Sequence, residues 1–536
     1  MNSQTIEAFR EWTQLLGSDR ARHDAEIIDK YSRSTLPQGT TPLGVLFPVS
    51  TEEVQSIVRI AGKAGISLYP ISRGKNWGYG DACAVTDGQV IMDLSRMNRI
   101  LEVNQDLAYA VIEPGVTQQQ LYDYLEQNNI PQWFDCTGSG PNASIVGNTL
   151  ERGFGHTPYG DHFYNSCGME VVLGDGRILR TGYGHYREAK ATHVFKWGLG
   201  PYLDGLFTQS SLGIVTSLGI WLMPKPECFN MFFLSMPEDD DLPRMIDALR
   251  PLKLSGQIKS LVHIGNDLRI ISSFQRYPWQ AADGQTPLPG FLRRSMRKKG
   301  GFGAWNISGG IYGTAGEVRQ LRKEIRKALR PLGRVRFVGP TTLKLAQKIS
   351  RFLDKRGWGK DWQIMLGSLV KVGGLLQGRP TDAFLYGTLW RMGGKDEPAT
   401  LDPLENNVGI MWISPIMPMI GSAAQDLVHK ISPIFLNYGF EPLITVSLIT
   451  ERAMVAVTTI AYDRDSAEET EKARLCYEAL FAEIMRMGYA PYRASIASMP
   501  HLADGSDVFW DVVHNLKQVL DPDSTIARGR YDPLGQ

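Results

Sequence analysis

From Thr51 to Ala64 the apolar residues Val54, Ile57, Val58 and Ala61 recur at helical spacing behind a Ser-Thr-Glu-Glu start, which predicts an N-capped helix. The apolar run Ile66 to Ile71 predicts a strand that ends in glycine-rich turn chemistry. Beyond Gly80 the chain passes through Asp81 to Gly88 into two further predicted strands, Val90 to Leu94 and Ala108 to Ile112. Thr117 to Asn128 reads as a helix with Leu121, Tyr124 and Leu125 on one face, and Gly138 to Gly160 as a long glycine-rich loop of the kind that usually serves a function.

Three more strands are predicted at Gly168 to Leu173, Arg177 to Thr181 and Gly213 to Leu222, the first two joined by an Asp175-Gly176 turn. Met223-Pro224-Lys225-Pro226 suggests a domain boundary, because two prolines within four residues stop strand pairing and stiffen a linker. From Glu227 to Met487 helices and strands alternate. Within that stretch, Phe291 to Gly300 carries five cationic side chains and reads as a solvated surface loop. Gly488 to Gln536 returns to a turn, a helix over Asp507 to Leu520 and a glycine-arginine tail.

A chain of 536 residues exceeds what one hydrophobic core serves, so two or more domains are expected. The formal net charge of +1 argues against a general polyanion binder, so no nucleic-acid partner is expected and any phosphate recognition must be local. Cys83, Cys136, Cys167, Cys228 and Cys476 are far apart, with no C-x-x-C pair, and read as buried small hydrophobes rather than disulfides or metal ligands. The N-terminal stretch is amphipathic and charge-rich, without a signal-peptide core, and no apolar run suits a membrane span. A cytoplasmic location and no membrane partner are the resulting expectations.

Ser72-Arg73-Gly74-Lys75-Asn76-Trp77-Gly78-Tyr79-Gly80 places three glycines directly after a strand, so its amides can turn inward as an anion nest able to hold a pyrophosphate. An ordinary glycine-rich turn is the competing reading, and a P-loop is excluded because G-x-x-x-x-G-K-[ST] is absent. Gly138-Ser139-Gly140-Pro141-Asn142-Ala143 formally satisfies G-x-G-x-x-[GA]. A dinucleotide fingerprint needs a buried strand before it and a helix opening inside it, however, and Trp133 to Thr137 is short and polar. The segment reads instead as a second backbone wall around a planar ligand.

These stretches, together with Thr157-Pro-Tyr-Gly-Asp-His-Phe163, Cys167 to Gly182, Gly200 to Pro226 and Leu520 to Tyr531, follow the order and spacing of a known family. The chain resembles the vanillyl-alcohol oxidase and para-cresol methylhydroxylase flavoproteins over nearly its whole length. The resemblance implies an α+β, two-domain FAD-binding fold of that type with a cap domain over the substrate. Its FAD-binding part would be split as 1–226 and 488–536 around a cap at 227–487.

It further implies oxidation of a para-substituted phenol at its benzylic side chain, by hydride transfer to flavin N5 and through a quinone methide. The demand is stabilisation of phenolate charge, for which Tyr79, Tyr492 and Arg493 match the family's two tyrosines and arginine. The cofactor contacts it implies are Ser72, Arg73, Gly74, Lys75, Asn76 and Trp77 in the first loop, then Ser139, Gly140, Pro141 and Asn142. They continue with Ser144, Gly147, Asn148, Glu151, Gly153 and His156, and with Gly213, Ile214, Val215 and Arg530. His156, Trp412 and Thr445 are assigned to the substrate pocket; a structural histidine and a core tryptophan are the alternatives for the first two.

Two departures matter. Ser139 stands where the oxidase branch has an acid near flavin N5, as in the methylhydroxylase branch. Ile410 replaces the histidine that oxidases bond to the flavin, so noncovalent FAD is expected. Asp161 and His162 are assigned to loop structure near the cofactor. Open alternatives are a non-phenolic alcohol or 2-hydroxy acid as substrate on the same fold, and a non-catalytic flavin-binding protein. The electron acceptor is O2 or a redox protein, and the expected assembly a homo-oligomer such as a dimer.

Overall fold

The computed structural model describes residues 2–354, 360–393, 397–503 and 507–535. The predicted helix forms as Thr51–Ala64, where the Ser50 side chain accepts from Glu53 N and Gly65 closes the helix at φ +64°. It packs on a four-stranded sheet in the order Ala21–Arg22, Gly44–Leu46, Val90–Asp93, Leu68–Ile71, whose last three strands run parallel. These strands are buried on both faces, the usual state of a parallel sheet. The C-terminal tail returns here, with Leu68 N donating to Thr525 O at 2.7 Å and Ala527 N to Leu68 O at 2.6 Å.

A second sheet is antiparallel, in the order Ile100–Asn104, Tyr109–Ile112, Ile214–Trp221, Ser166–Val172, Ile178–Arg180. The third and largest sheet has eight strands, beginning at Arg336–Val338 and continuing through Cys228–Met236, Trp305–Gly313, Val262–Asn266, Leu443–Leu448 and Ala453–Asp463. Its last strands, Val408–Ile413 and Ile416–Pro418, both pair with Ala453–Asp463. All of its pairings are antiparallel.

The large sheet has two unlike faces. One carries Val262, Ile264, Ile444, Val446, Leu448, Ala456 and Ile460 into a core shared with the helices Leu242–Leu254, Ala315–Leu329, Gly421–Asn437 and Ala467–Arg486. Alternation along each strand therefore sends His263, Gly265, Thr445, Ser447 and Val457 to the other face.

Three sequence expectations are corrected. Gly138 to Gly160 is not all loop, since Ile145–Leu150 is a helix whose first turn is capped by the Ser144 side chain accepting from Gly147 N. Met223–Pro224 does not stop pairing at once but forms a short ladder with Gln132–Trp133, proline being tolerated at the end of an edge strand. Phe291 to Gly300 lies in the helix Gly290–Gly300, in which Arg293 and Arg297 reach the fully buried Asp267 at 2.8 and 3.7 Å. A buried carboxylate thus organises what its charges alone suggested to be a loop. All five cysteines are free, four of them buried. No helix among the described residues is long and apolar enough to cross a membrane.

Candidate active site

A cavity of about 480 Å³ lies between the Ser72 to Gly80 loop, the helix Ile145–Leu150 and the polar face of the large sheet. The loop follows the strand Leu68–Ile71, and left-handed backbone at Gly74 (φ +63°) and Gly78 (φ +74°) lets it curl. At Gly78 the requirement is also steric, since a Cβ there would lie 1.9 Å from the Trp412 ring. Trp412 N in turn donates to Gly78 O at 3.2 Å, which fixes the loop against the sheet.

Tyr79, Tyr492 and Arg493 all line the cavity. The Arg493 guanidinium sits 4.6 Å from the centre of the Tyr79 ring, and Tyr79 Oη is 3.1 Å from Ser414 Oγ. Burial, reinforced by the neighbouring Tyr492, holds the Tyr79 hydroxyl well above its ordinary pKa, with Arg493 acting in the opposite direction. Tyr79 therefore stays a neutral hydrogen-bonding group at physiological pH. Arg493 also bonds Asn76 Oδ1, so the first loop and the C-terminal segment lock together through side chains 417 positions apart.

Glu151 is the hub of this wall. Its carboxylate is ion-paired with Arg530, lies 3.2 Å from Arg493 Nε and accepts from Tyr531 Oη at 3.0 Å. Arg530 donates to Tyr69 Oη at 2.8 Å, which ties the tail to the first strand of the site. Two arginines and one carboxylate leave a positive wall, suited to the anionic groups of a nucleotide or of a reduced ring.

A second cluster centres on Asp135. His156 N and Thr157 N donate to its carboxylate at 3.1 and 2.5 Å, and His162 Nε2 lies 2.8 Å away. Against the cost of burial, the hydrogen bond and charge of His162 hold the Asp135 carboxyl below its usual range. His162, with its other nitrogen 2.6 Å from Asn148 Oδ1, is thus a structural clamp on the loop. His156 itself faces the cavity, with its ring 4.6 Å from that of His263. Burial, then mutual repulsion with His156, pushes the His263 imidazole down to about 3, and its Nε2 has no partner.

Of the predicted cofactor contacts, Ser72, Arg73, Gly74, Lys75, Asn76, Trp77 and Ser139 line the cavity, as do Ser144, Gly147, Asn148, Glu151, His156 and Arg530. Trp412 and Thr445 line it too. Gly140, Pro141, Gly153, Gly213, Ile214 and Val215 do not, and Asn142 borders a separate groove with Thr117 and Gln119. Ile214 and Val215 are buried in strand pairing with Val172 and Val171, and Gly153 packs on the Asn148 side chain. Ile410 is fully buried in an apolar cluster with Leu389 and Val408, away from the cavity lining.

Sequence reasoning missed His263, Ser308 and Ser447, which come from strands, and Arg269, from a short helix, none of them in a local motif. The polar-apolar alternation in Val262-His-Ile-Gly-Asn266 was the available signal for His263. The site fits a flavin dinucleotide on its own terms. The loop with positive-φ glycines brings Arg73 to the cavity, the buried Trp77 Nε1 lacks a partner among the described residues, and the lining continues into aromatic and polar side chains.

Residues 42–182 match the FAD binding domain family. The chain is 36% identical to 1'-carboxy-chondrochloren decarboxylase of Chondromyces crocatus, over 99% of this chain and 98% of that protein. It is 34% identical to the 4-cresol dehydrogenase (hydroxylating) flavoprotein subunit of Pseudomonas putida, over 98% of this chain and 94% of that one. The crystal structure of p-cresol methylhydroxylase with substrate bound superimposes with a TM-score of 0.89 at 32% identity, covering 99% of this chain and 97% of that chain.

Proposed function

Because this chain belongs to the vanillyl-alcohol oxidase and para-cresol methylhydroxylase family of FAD-dependent oxidoreductases, we propose that it oxidises a para-substituted phenol at the benzylic carbon of its side chain. FAD, when bound, supplies the acceptor for the hydride that leaves that carbon. The observation that carries the reading is the convergence of Tyr79, Tyr492 and Arg493 on one end of the cavity.

These three groups bind the phenol oxygen and stabilise the negative charge that develops on it when its proton leaves. In a site closed off from water, donors fixed in advance are worth more than in solution. Tyr79 is held neutral and anchored to Ser414, so it donates without competing for the proton. Loss of hydride from the phenolate leaves a quinone methide, and water adding at the benzylic carbon gives the alcohol. Glu151 keeps Arg493 in place rather than reacting.

The first loop and Arg73 hold the cofactor's diphosphate, with Arg530 completing the cradle. Noncovalent retention is part of the same reading, because isoleucine at position 410 offers no group that could bond the flavin. The same reading divides the chain into an FAD-binding part at 1–226 and 488–536 and a cap at 227–487. Its acceptor is O2 or a redox protein, distinguished by whether oxygen uptake accompanies turnover.

Anaerobic mixing of the purified flavoprotein with 4-alkylphenols tests the reading. Bleaching of the flavin absorbance within the mixing series is expected, and a flavin that stays oxidised with every phenol would overturn it. Acid precipitation that leaves yellow colour in the pellet would overturn noncovalent retention alone.

A further inference from the structure

Five cationic side chains line the cavity: Arg73, Lys75, Arg269, Arg493 and Arg530. Lys75 is paired with Asp402, while Arg493 and Arg530 share Glu151. Arg73 belongs to the anion nest. Arg269 has no such assignment, because no side-chain hydrogen bond or ion pair holds its guanidinium among the described residues, and its Nη1 is buried without a partner.

Its placement is nevertheless fixed. Arg269 projects from the short helix Asp267–Ser272, which the Asn266 side chain caps by accepting from Arg269 N at 2.9 Å. Its guanidinium lies 6.0 Å from the centre of the Trp412 ring, the same ring that packs on Gly78 beside Tyr79. A Cβ added at Gly387 would come within 2.5 Å of Nη1, so the turn Ala383–Leu389 closes on the guanidinium. Around it the cavity offers the neutral side chains Ser273, Thr388, Thr445 and Ser447.

The acids of the cavity lining are Asp81 and Glu151, and both are committed elsewhere. Asp81 accepts from Ser34 and Thr35 at 2.7 Å, and Glu151 serves the two arginines of the opposite wall. Burial lowers the Arg269 pKa to about 10, which still leaves the group charged at neutral pH. A partly buried guanidinium, its Nη1 shut off from water, that faces one aromatic ring and no anion among the described residues is a costly arrangement, only partly offset by the ring. It becomes favourable once a planar monoanion fills the fork with two parallel hydrogen bonds.

We propose that Arg269 binds a carboxylate on the side chain of the substrate, so that the aromatic compound this enzyme takes is an acid rather than a neutral alkylphenol. The proposal names the substrate class within the phenol reading above and rests on it for the position of the ring. A single guanidinium among neutral hydroxyls suits one negative charge, whereas a phosphate dianion would call for a nest or a second cation. With the phenol oxygen held by Tyr79, Tyr492 and Arg493, a carboxylate on Arg269, across the Trp412 ring from Gly78, fixes a second point of the molecule. The benzylic carbon is then placed between two charged anchors.

Two measurements test this, and the first does not depend on phenol chemistry. Binding of 3-phenylpropanoate and of its neutral amide is read from the flavin difference spectrum in the wild type, Arg269→Met and Arg269→Lys. The wild type is expected to prefer the acid, and this preference is expected to fall at least about tenfold in Arg269→Met, with Arg269→Lys between the two. Equal binding of acid and amide by the wild type would overturn the proposal without any variant, and so would an unchanged preference in Arg269→Met protein that retains FAD.

The second measurement compares kcat/KM for 3-(4-hydroxyphenyl)propanoate and 4-propylphenol. Their ratio is expected to fall in Arg269→Met by a similar factor, mainly through KM. If neither phenol bleaches the flavin while acid binding still depends on Arg269, the phenol reading fails and the carboxylate site stands.

Discussion

Two walls of one cavity treat their charges in opposite ways. On the wall built from the first loop, Glu151 and the C-terminal segment, the two arginines of that segment are partnered: Arg493 has Asn76 and Glu151, and Arg530 has Glu151 and Tyr69. On the wall built from the large sheet and the helix Asp267–Ser272, Arg269 Nη1 and His263 Nε2 are buried without a partner among the described residues. A saturated network holds its members rigid and fixes geometry before a ligand arrives. Unsatisfied groups store a desolvation cost that a complementary ligand can relieve. The first wall therefore behaves as built-in machinery and the second as a surface waiting for its ligand.

The contrast breaks most severely at Glu151. Glu151→Gln leaves Arg493 and Arg530 without their shared counter-charge, and a loss of about 3–5 kcal/mol is expected because an uncompensated buried charge remains. The denaturant midpoint and the flavin content of the purified variant measure it. A midpoint equal to that of the wild type would show that the two arginines do not need the carboxylate.

Tyr492→Phe removes a donor from the first wall while keeping the ring. A decrease of about 10²–10³ in kcat on a 4-alkylphenol is expected, the effect of losing one charge-stabilising hydrogen bond in a preorganised site. If turnover of phenols hardly changes, a non-phenolic alcohol or 2-hydroxy acid becomes the better substrate class.

On the unsatisfied wall the effects are smaller and depend on pH. His263 has its folded pKa depressed to about 3 from an ordinary 6.5, so between these values the unfolded chain binds the extra proton. Its contribution to stability is present above pH 6.5 and is lost as pH falls toward 3. Replacing it by Gln is expected to flatten the fall in stability across that window by up to about 1.4 kcal/mol per pH unit. Thermal unfolding of both proteins from pH 7 to 4 reads the difference; parallel curves would mean that His263 does not titrate as its burial implies.

The smallest change in stability is expected at Arg269. Since no partner is left behind, Arg269→Met should shift the unfolding free energy by less than about 1 kcal/mol, toward stabilisation if at all. A loss as large as that of Glu151→Gln would reveal a partner for this guanidinium and erase the distinction between the walls.

Legibility in the sequence followed the range of the forces involved. The helix Thr51–Ala64 and the strand ending at Ile71 were readable because capping, periodicity and glycine conformation act over a few neighbouring residues. The helix Ile145–Leu150 was hidden because only six residues carry it and its context is rich in glycine. The helix Gly290–Gly300 was hidden because its cations answer a carboxylate, Asp267, more than twenty positions earlier. Tyr492 and Arg493 were found through resemblance to a family, since nothing local distinguishes them.

By itself, the sequence determined the glycine-rich turn from Ser72 to Gly80, the alternation of apolar and polar residues along the strands, and the absence of a charge excess suited to nucleic acid. These are properties of composition and of near neighbours, and they survive without knowing what lies across the molecule. The tertiary structure decided which charges meet. It set Glu151 between Arg493 and Arg530, more than 300 positions away, and gave Arg269 a tryptophan and, among the described residues, no anion. Pairing and desolvation depend on distance in space, and it is strand register and chain return, not position along the chain, that set that distance.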